Sequence, residues 1–202
     1  MPRKGEVKDA LDRLRSGEYA HVLRELLKRH RDLRQEANRI AESLIDDASV
    51  EAVAEEVTDL VSSIGCEELG GCAGRQSWGY VEPGEAAWDL LEESIEGIRA
   101  DMERRFEAGM KPAAEKICQG IVVGLHDVDR TKSRGALEWA PDFPAEAAAW
   151  SLSILLQRYP QGQRRAAGNR ILRGVEEHVK DWLEMMERVV SEATARKRRK
   201  RR

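Results

Sequence analysis

Apolar residues recur at intervals of three and four along most of the chain, and this spacing predicts a succession of amphipathic helices. Val7, Leu11 and Leu14 share one face until Ser16-Gly17 interrupts it, and Tyr19, Val22, Leu23, Leu26 and Leu27 then resume the pattern, so two short, tightly joined helices are expected. Leu33, Ala37, Ile40, Ala41 and Leu44 mark a third helix. A fourth begins after Ser49, whose hydroxyl suits a helix N-cap. It carries Val50, Val53, Val57, Leu60, Val61 and Ile64 and ends at Gly65.

Between Cys66 and Glu82 the periodicity lapses into a glycine-rich stretch, which reads as a long irregular connection and as the best place for a domain sub-boundary. From Pro83 a continuous stripe of Trp88, Leu91, Ile95, Ile98, Met102 and Phe106 predicts one helix of about 26 residues, some 39 Å long. After Gly109 the apolar positions Ala113, Ile117, Ile121, Val122, Val123, Leu125 and Val128 cover more than one face, so this helix is expected at the centre of the fold. A second irregular connection, 129–143, leads to a helix containing Trp150, Ile154 and Leu155 and closed near Pro160. The last predicted helix holds Leu172, Val175, Val179, Trp182, Leu183, Met186 and Val190 in near-heptad order, suited to a core or to a seam for self-association.

Two stretches share a layout 61 residues apart. Trp78 and Trp139 are each followed five residues later by proline (Pro83, Pro144), then by Glu85 or Glu146, then by a second indole at Trp88 or Trp150. Proline and an early glutamate both suit a helix start, so the layout fits either a duplicated unit or shared helix-start chemistry. On these stripes Trp88 and Trp150 are expected to be buried, while Trp78 and Trp139 fall in loops. No alternating strand of convincing length is seen. The expected fold is all-α: antiparallel helix pairs stacked as a bundle or short superhelix of about seven or eight helices, with a single domain over residues 1–195.

Charge changes this picture at one end. Seven of the 34 basic residues form the run 196–202 (Arg196, Lys197, Arg198, Arg199, Lys200, Arg201 and Arg202), which leaves 27 basic against 37 acidic groups in residues 1–195. A run of like charge with nothing apolar to bury is expected to be disordered in isolation. Arg158, Arg164, Arg165, Arg170 and Arg173 form a second basic stretch without an intervening acid, whereas Glu82 to Glu103 holds eight acids and only Arg99. The two stretches pair with each other or face outside partners. The absence of an apolar signal core or membrane-length run and the sparse cysteines point to a cytosolic protein, or a nuclear one in a eukaryote, with no membrane partner.

Motifs for catalysis are few. Serine-elbow, phosphate-loop, dinucleotide-binding and metalloprotease patterns are missing. Cys66 and Cys72 lie six residues apart with no second ligand pair, which reads as two thiols and not as a zinc site. His126-Asp127, followed by Asp129, resembles the adjacent metal-holding pair of the all-helical HD phosphohydrolases, and that resemblance implies a metal-dependent hydrolase. It covers two residues. The family uses another histidine upstream, yet none lies between His30 and His126, and the downstream acids at hand are Asp142 and Asp181. Read from the residues alone, the pair is a solvated cap at a helix C-terminus, and neither metal nor other cofactor is expected.

The leading functional expectation is therefore a non-enzymatic helical scaffold that binds a protein partner. The alternative is sequence-independent nucleic-acid binding through Arg158–Arg173 and the terminal run, with Trp78 and Trp139 as further candidate contacts. Self-association through the last helix is a third expectation, and the metal-dependent hydrolase is the weakest.

Overall fold

The computed structural model describes residues 11, 14–46, 48–77, 79–131 and 135–195. It confirms the all-α class: among these residues there are nine α-helices and a single small two-stranded hairpin. The chain forms two compact units, one through Leu44 and the other from Ile45 onward. In the first lie α1 (Ser16–Arg29) and most of α2 (Arg31–Asp46). The α1 start is held by Glu18, whose carboxylate accepts from the Arg15 backbone N–H at 2.8 Å. Leu23, Leu26, Leu33 and Ile40 of this unit remain exposed.

The second unit carries the core. Helix α3 (Val50–Ser62) starts where expected, with the Ser49 hydroxyl accepting from the Ala52 N–H at 3.3 Å. The described residues of 66–82 hold more regular structure than the loss of periodicity suggests. They form α4 (Cys66–Cys72), which buries Leu69, and an antiparallel pair of three-residue strands, β1 (Gly74–Gln76) and β2 (Gly79–Val81). Elements this short leave no periodic trace in a sequence, and Gly74 at φ 86° takes a backbone conformation that other residues avoid.

Helix α5 (Pro83–Glu107) is the long helix read from its stripe, with Pro83 as its first residue. Helix α6 (Lys111–Thr131) is central, buried on several faces and packed against α3, α5, α7 (Phe143–Arg158) and α8 (Gln161–Arg173). Its crossing with α3 is unusually close at two glycines. A Cβ on Gly120 would lie 2.5 Å from Val53 Cβ, and one on Gly124 would lie 2.5 Å from the Ala54 carbonyl oxygen.

The C-terminal region departs from the expected single helix. Helix α8 stops at Gly174, a turn follows, and after a 3-10 turn at Lys180–Trp182 helix α9 (Leu183–Thr194) packs back on α8. Gly168 lets the two helices meet, since a Cβ there would lie 2.7 Å from Val190 Cγ1. The near-heptad residues Leu172, Val175, Val179, Trp182, Met186 and Val190 are buried inside one chain, where they pack the α8–α9 hairpin. No helix among the described residues is long and apolar enough to cross a membrane.

Candidate functional site

The two Trp-Pro-Glu-Trp stretches start their helices alike but place their second indoles differently. Pro83 and Pro144 both sit in the first turn of a helix, with Glu85 and Glu146 beside them. Trp88 is five residues beyond its proline and Trp150 is six beyond its own, and one extra helical residue rotates a side chain by about 100°. Trp88 consequently turns inward, half-buried and edge-on to Phe143 at 5.2 Å between ring centroids. Trp150 turns outward and is 54% exposed, which corrects the expectation that its stripe buries it. Trp139 is 52% exposed at the end of a 3-10 turn, Gly135–Glu138, and Trp78 lies outside the described residues.

Trp150 stands in an open groove of about 1340 Å³ formed by α5, α7, α9 and the start of α8. Its floor includes Ala147, Ala149 and Val189, and its acidic rim is Asp89, Glu92, Glu146 and Glu192. Glu92 is engaged with buried Arg99, its Oε1 lying 2.6 Å from Arg99 Nη2. The groove's basic residue, Arg164, is also engaged. It donates to the Tyr159, Ala193 and Gln157 carbonyls at 3.1, 3.0 and 3.2 Å, tying the ends of α7 and α9 together. The groove therefore offers an aromatic face and, in Asp89, Glu146 and Glu192, acids with no ion-pair partner among the described residues.

Three of the five arginines of the stretch, Arg158, Arg164 and Arg170, are engaged within the fold. Arg158 bridges Glu103 and Glu107 of α5 at 2.6 and 2.8 Å. Arg170 pairs with Glu115 of α6 at 2.6 Å, which holds its guanidinium pKa above the ordinary value, and Glu115 also accepts from the Tyr159 hydroxyl at 2.6 Å. Burial, first, and that acceptor push the Tyr159 hydroxyl pKa well up. Arg165 and Arg173 are exposed. The terminal run Arg196, Lys197, Arg198, Arg199, Lys200, Arg201 and Arg202 lies outside the described residues. Because Arg164 is a structural clamp, Arg164→Ala is expected to cost about 1–2 kcal/mol in a urea melt, the scale for a partly buried charge that loses its hydrogen bonds, while Arg165→Ala stays within about 0.5 kcal/mol. Equal effects of the two changes would remove the clamp assignment.

Cys66 and Cys72 are exposed and Cys118 is buried, where desolvation and then nearby Glu115 push its thiol pKa to about 12.

A second cluster forms around the His-Asp pair. His126, 1% exposed, places Nε2 2.7 Å from Asp181 Oδ1, and Asp127 Oδ1 lies 2.7 Å from His178 Nε2. The His126 ring also meets Trp182 edge-on at 5.0 Å and His178 at 5.7 Å. The hydrogen bond from His126 is the main reason that the Asp181 carboxyl sits below its ordinary pKa. Asp129 is exposed and is not part of the cluster. Asp181 is one of the two downstream acids, with Asp142, that the HD resemblance points to. His178, 51 residues beyond Asp127, had no spacing signal to reveal it.

Comparison with protein-family profiles, curated proteins and solved structures found no match to this chain.

Proposed function

We propose that the protein is a non-enzymatic helical interaction module, and that the α5–α7–α9 groove takes a basic, amphipathic helical segment of a partner protein. The carrying observation is Trp150, a large indole left 54% exposed within a concave, acid-rimmed surface. Exposed aromatics in such settings commonly anchor interfaces, and an amphipathic helix laid in a groove is a recurring recognition mode. Asp89, Glu146 and Glu192 would select lysines and arginines on the partner, chiefly by steering and by excluding acidic competitors.

The test is an anisotropy titration with a labelled helical peptide carrying leucines on one face and lysines on the other, beside a peptide in which glutamates replace the lysines. The basic peptide is expected to bind the wild-type protein, with roughly tenfold or greater loss on Trp150→Ala, about 1.4 kcal/mol or more. Stability of Trp150→Ala should change by less than about 1 kcal/mol, because little of that ring is removed from water. Equal binding of both peptides, or no effect of Trp150→Ala, rejects the groove as the contact surface. Labelled duplex in the same titration addresses the rival reading, phosphate contact by Arg165, Arg173 and the terminal run. Duplex binding that outcompetes the peptide and weakens steeply with salt would favour that rival.

A further inference from the structure

The His126 cluster gathers two imidazoles and two carboxylates around one buried ring. The His126 imidazole is 1% exposed, its Nε2 is bonded to Asp181, and its Nδ1 is buried with no hydrogen-bond partner among the described residues. Buried polar atoms in folded proteins nearly always have a partner, so an orphan of this kind calls for one. The Asp181 carboxylate accepts, which puts the ring proton on Nε2 and leaves Nδ1 with its lone pair. Carboxylate–histidine pairs orient metal-binding imidazoles in this way, with the acid on one nitrogen and the ion on the other.

The remaining donors are close. One ligand atom each from His126, Asp127 and His178 can be chosen so that all three lie within 4.8 Å of one another. We propose that His126, Asp127 and His178 form a binding site for a divalent transition-metal ion of the zinc class, with Asp181 as the positioning residue behind His126.

Two imidazole nitrogens and one carboxylate oxygen suit such an ion, whereas magnesium and calcium select oxygen donors. Tetrahedral bonds of about 2.0–2.1 Å require donors roughly 3.3 Å apart. Asp127 Oδ1 and His178 Nε2, at 2.7 Å, are already that close, so the adjustment needed is a small shift of this pair relative to His126. The two outer ligands can supply that movement, since the His178 and Asp127 side chains are 47% and 43% exposed. Their exposure also leaves the fourth position open to water. The ion would tie α6 to the turn before α9, joining elements that are far apart in the chain. This inference is independent of the groove.

The experiment uses the full chain without an affinity tag, stripped with chelator and dialysed, then titrated with cobalt(II) as a spectroscopic probe and with zinc in competition. One equivalent of cobalt is expected to give the intense visible bands of a four-coordinate site, displaced by one equivalent of zinc. His178→Ala should weaken cobalt binding at least roughly 100-fold, and Asp181→Asn roughly 10- to 100-fold, as for other residues that orient ligands. Because His178 is exposed, the unfolding midpoint of His178→Ala in chelator should match wild type, which separates lost ligation from lost folding. Thiolates also bind these ions, so a Cys66→Ser/Cys72→Ser variant is titrated beside the others and should keep full binding. Absence of cobalt bands, an unchanged affinity in His178→Ala, or loss of binding in the cysteine variant would each overturn the proposal.

Discussion

Gly124→Val is expected to destabilise the protein by about 3 kcal/mol, the upper part of the range for overpacked cores. Helices α3 and α6 touch backbone to backbone at this point. A Cβ on Gly124 would stand 2.5 Å from the Ala54 carbonyl oxygen and 2.9 Å from Val57 Cβ, and Val57 is fully buried. A backbone carbonyl inside a helix cannot rotate away, so the helices must separate along their length. That also breaks the bond in which the Thr58 hydroxyl donates to the Gly124 carbonyl at 3.3 Å. Gly120, one turn earlier, meets Val53 and the Val50 carbonyl in the same manner, so the pair forms a continuous notch. Gly124→Ala gains about 1 kcal/mol of helix propensity and should still lose stability overall. Gly97 in α5 supplies the control, because a Cβ there meets nothing within 4 Å and Gly97→Ala should stabilise by up to about 1 kcal/mol. Urea unfolding followed by circular dichroism reads both signs. A Gly124→Ala protein as stable as Gly97→Ala would show that the close crossing does not exist.

The elements that were legible in the sequence are those whose cause is local. Ser49 caps α3 and Pro83 opens α5 because capping and proline geometry act within one turn, and the α6 stripe told its central position because every face needed a neighbour. Features set by distant residues were not legible. The break between α8 and α9 depends on Gly168 accepting Val190 from 22 residues away, while the apolar spacing runs on through the turn as if the helix continued. Gly120 and Gly124 lie inside a strong helical pattern, where a glycine looks like a defect until the approaching backbone is known. The groove was hidden for a similar reason. Trp150 obeys the same spacing rules as its buried neighbours, and one residue of phase relative to Trp88 decides that it faces solvent. In the His126 cluster, only His126 and Asp127 are neighbours in the chain, and the α8–α9 hairpin brings His178 and Asp181 beside them.

Phe143→Ala should cost about 3–5 kcal/mol, the range for a buried aromatic replaced by a cavity. The loss of apolar spacing over 129–143 places Phe143 at the end of an irregular connection. In the structure it is the first residue of α7, fully buried, and meets Trp88 edge-on with an interplanar angle of 81°. The contact fixes the start of α7 against α5, two of the helices that wall the groove. Phe143→Leu keeps most of the volume and should lose only about 1.5 kcal/mol. A double-mutant cycle with Trp88→Ala should return about 0.5–1.5 kcal/mol of coupling for the ring pair. The same substitution carries a functional consequence, because Trp88 lines the groove and loses its support when Phe143 is removed. Phe143→Ala should therefore weaken the basic peptide even at temperatures where the protein remains folded, although Phe143 itself is inaccessible to any partner. A stability loss below about 1 kcal/mol would remove Phe143 from the core. A normal loss of stability with unaltered peptide affinity would instead show that the peptide does not sense the Trp88 wall of the groove.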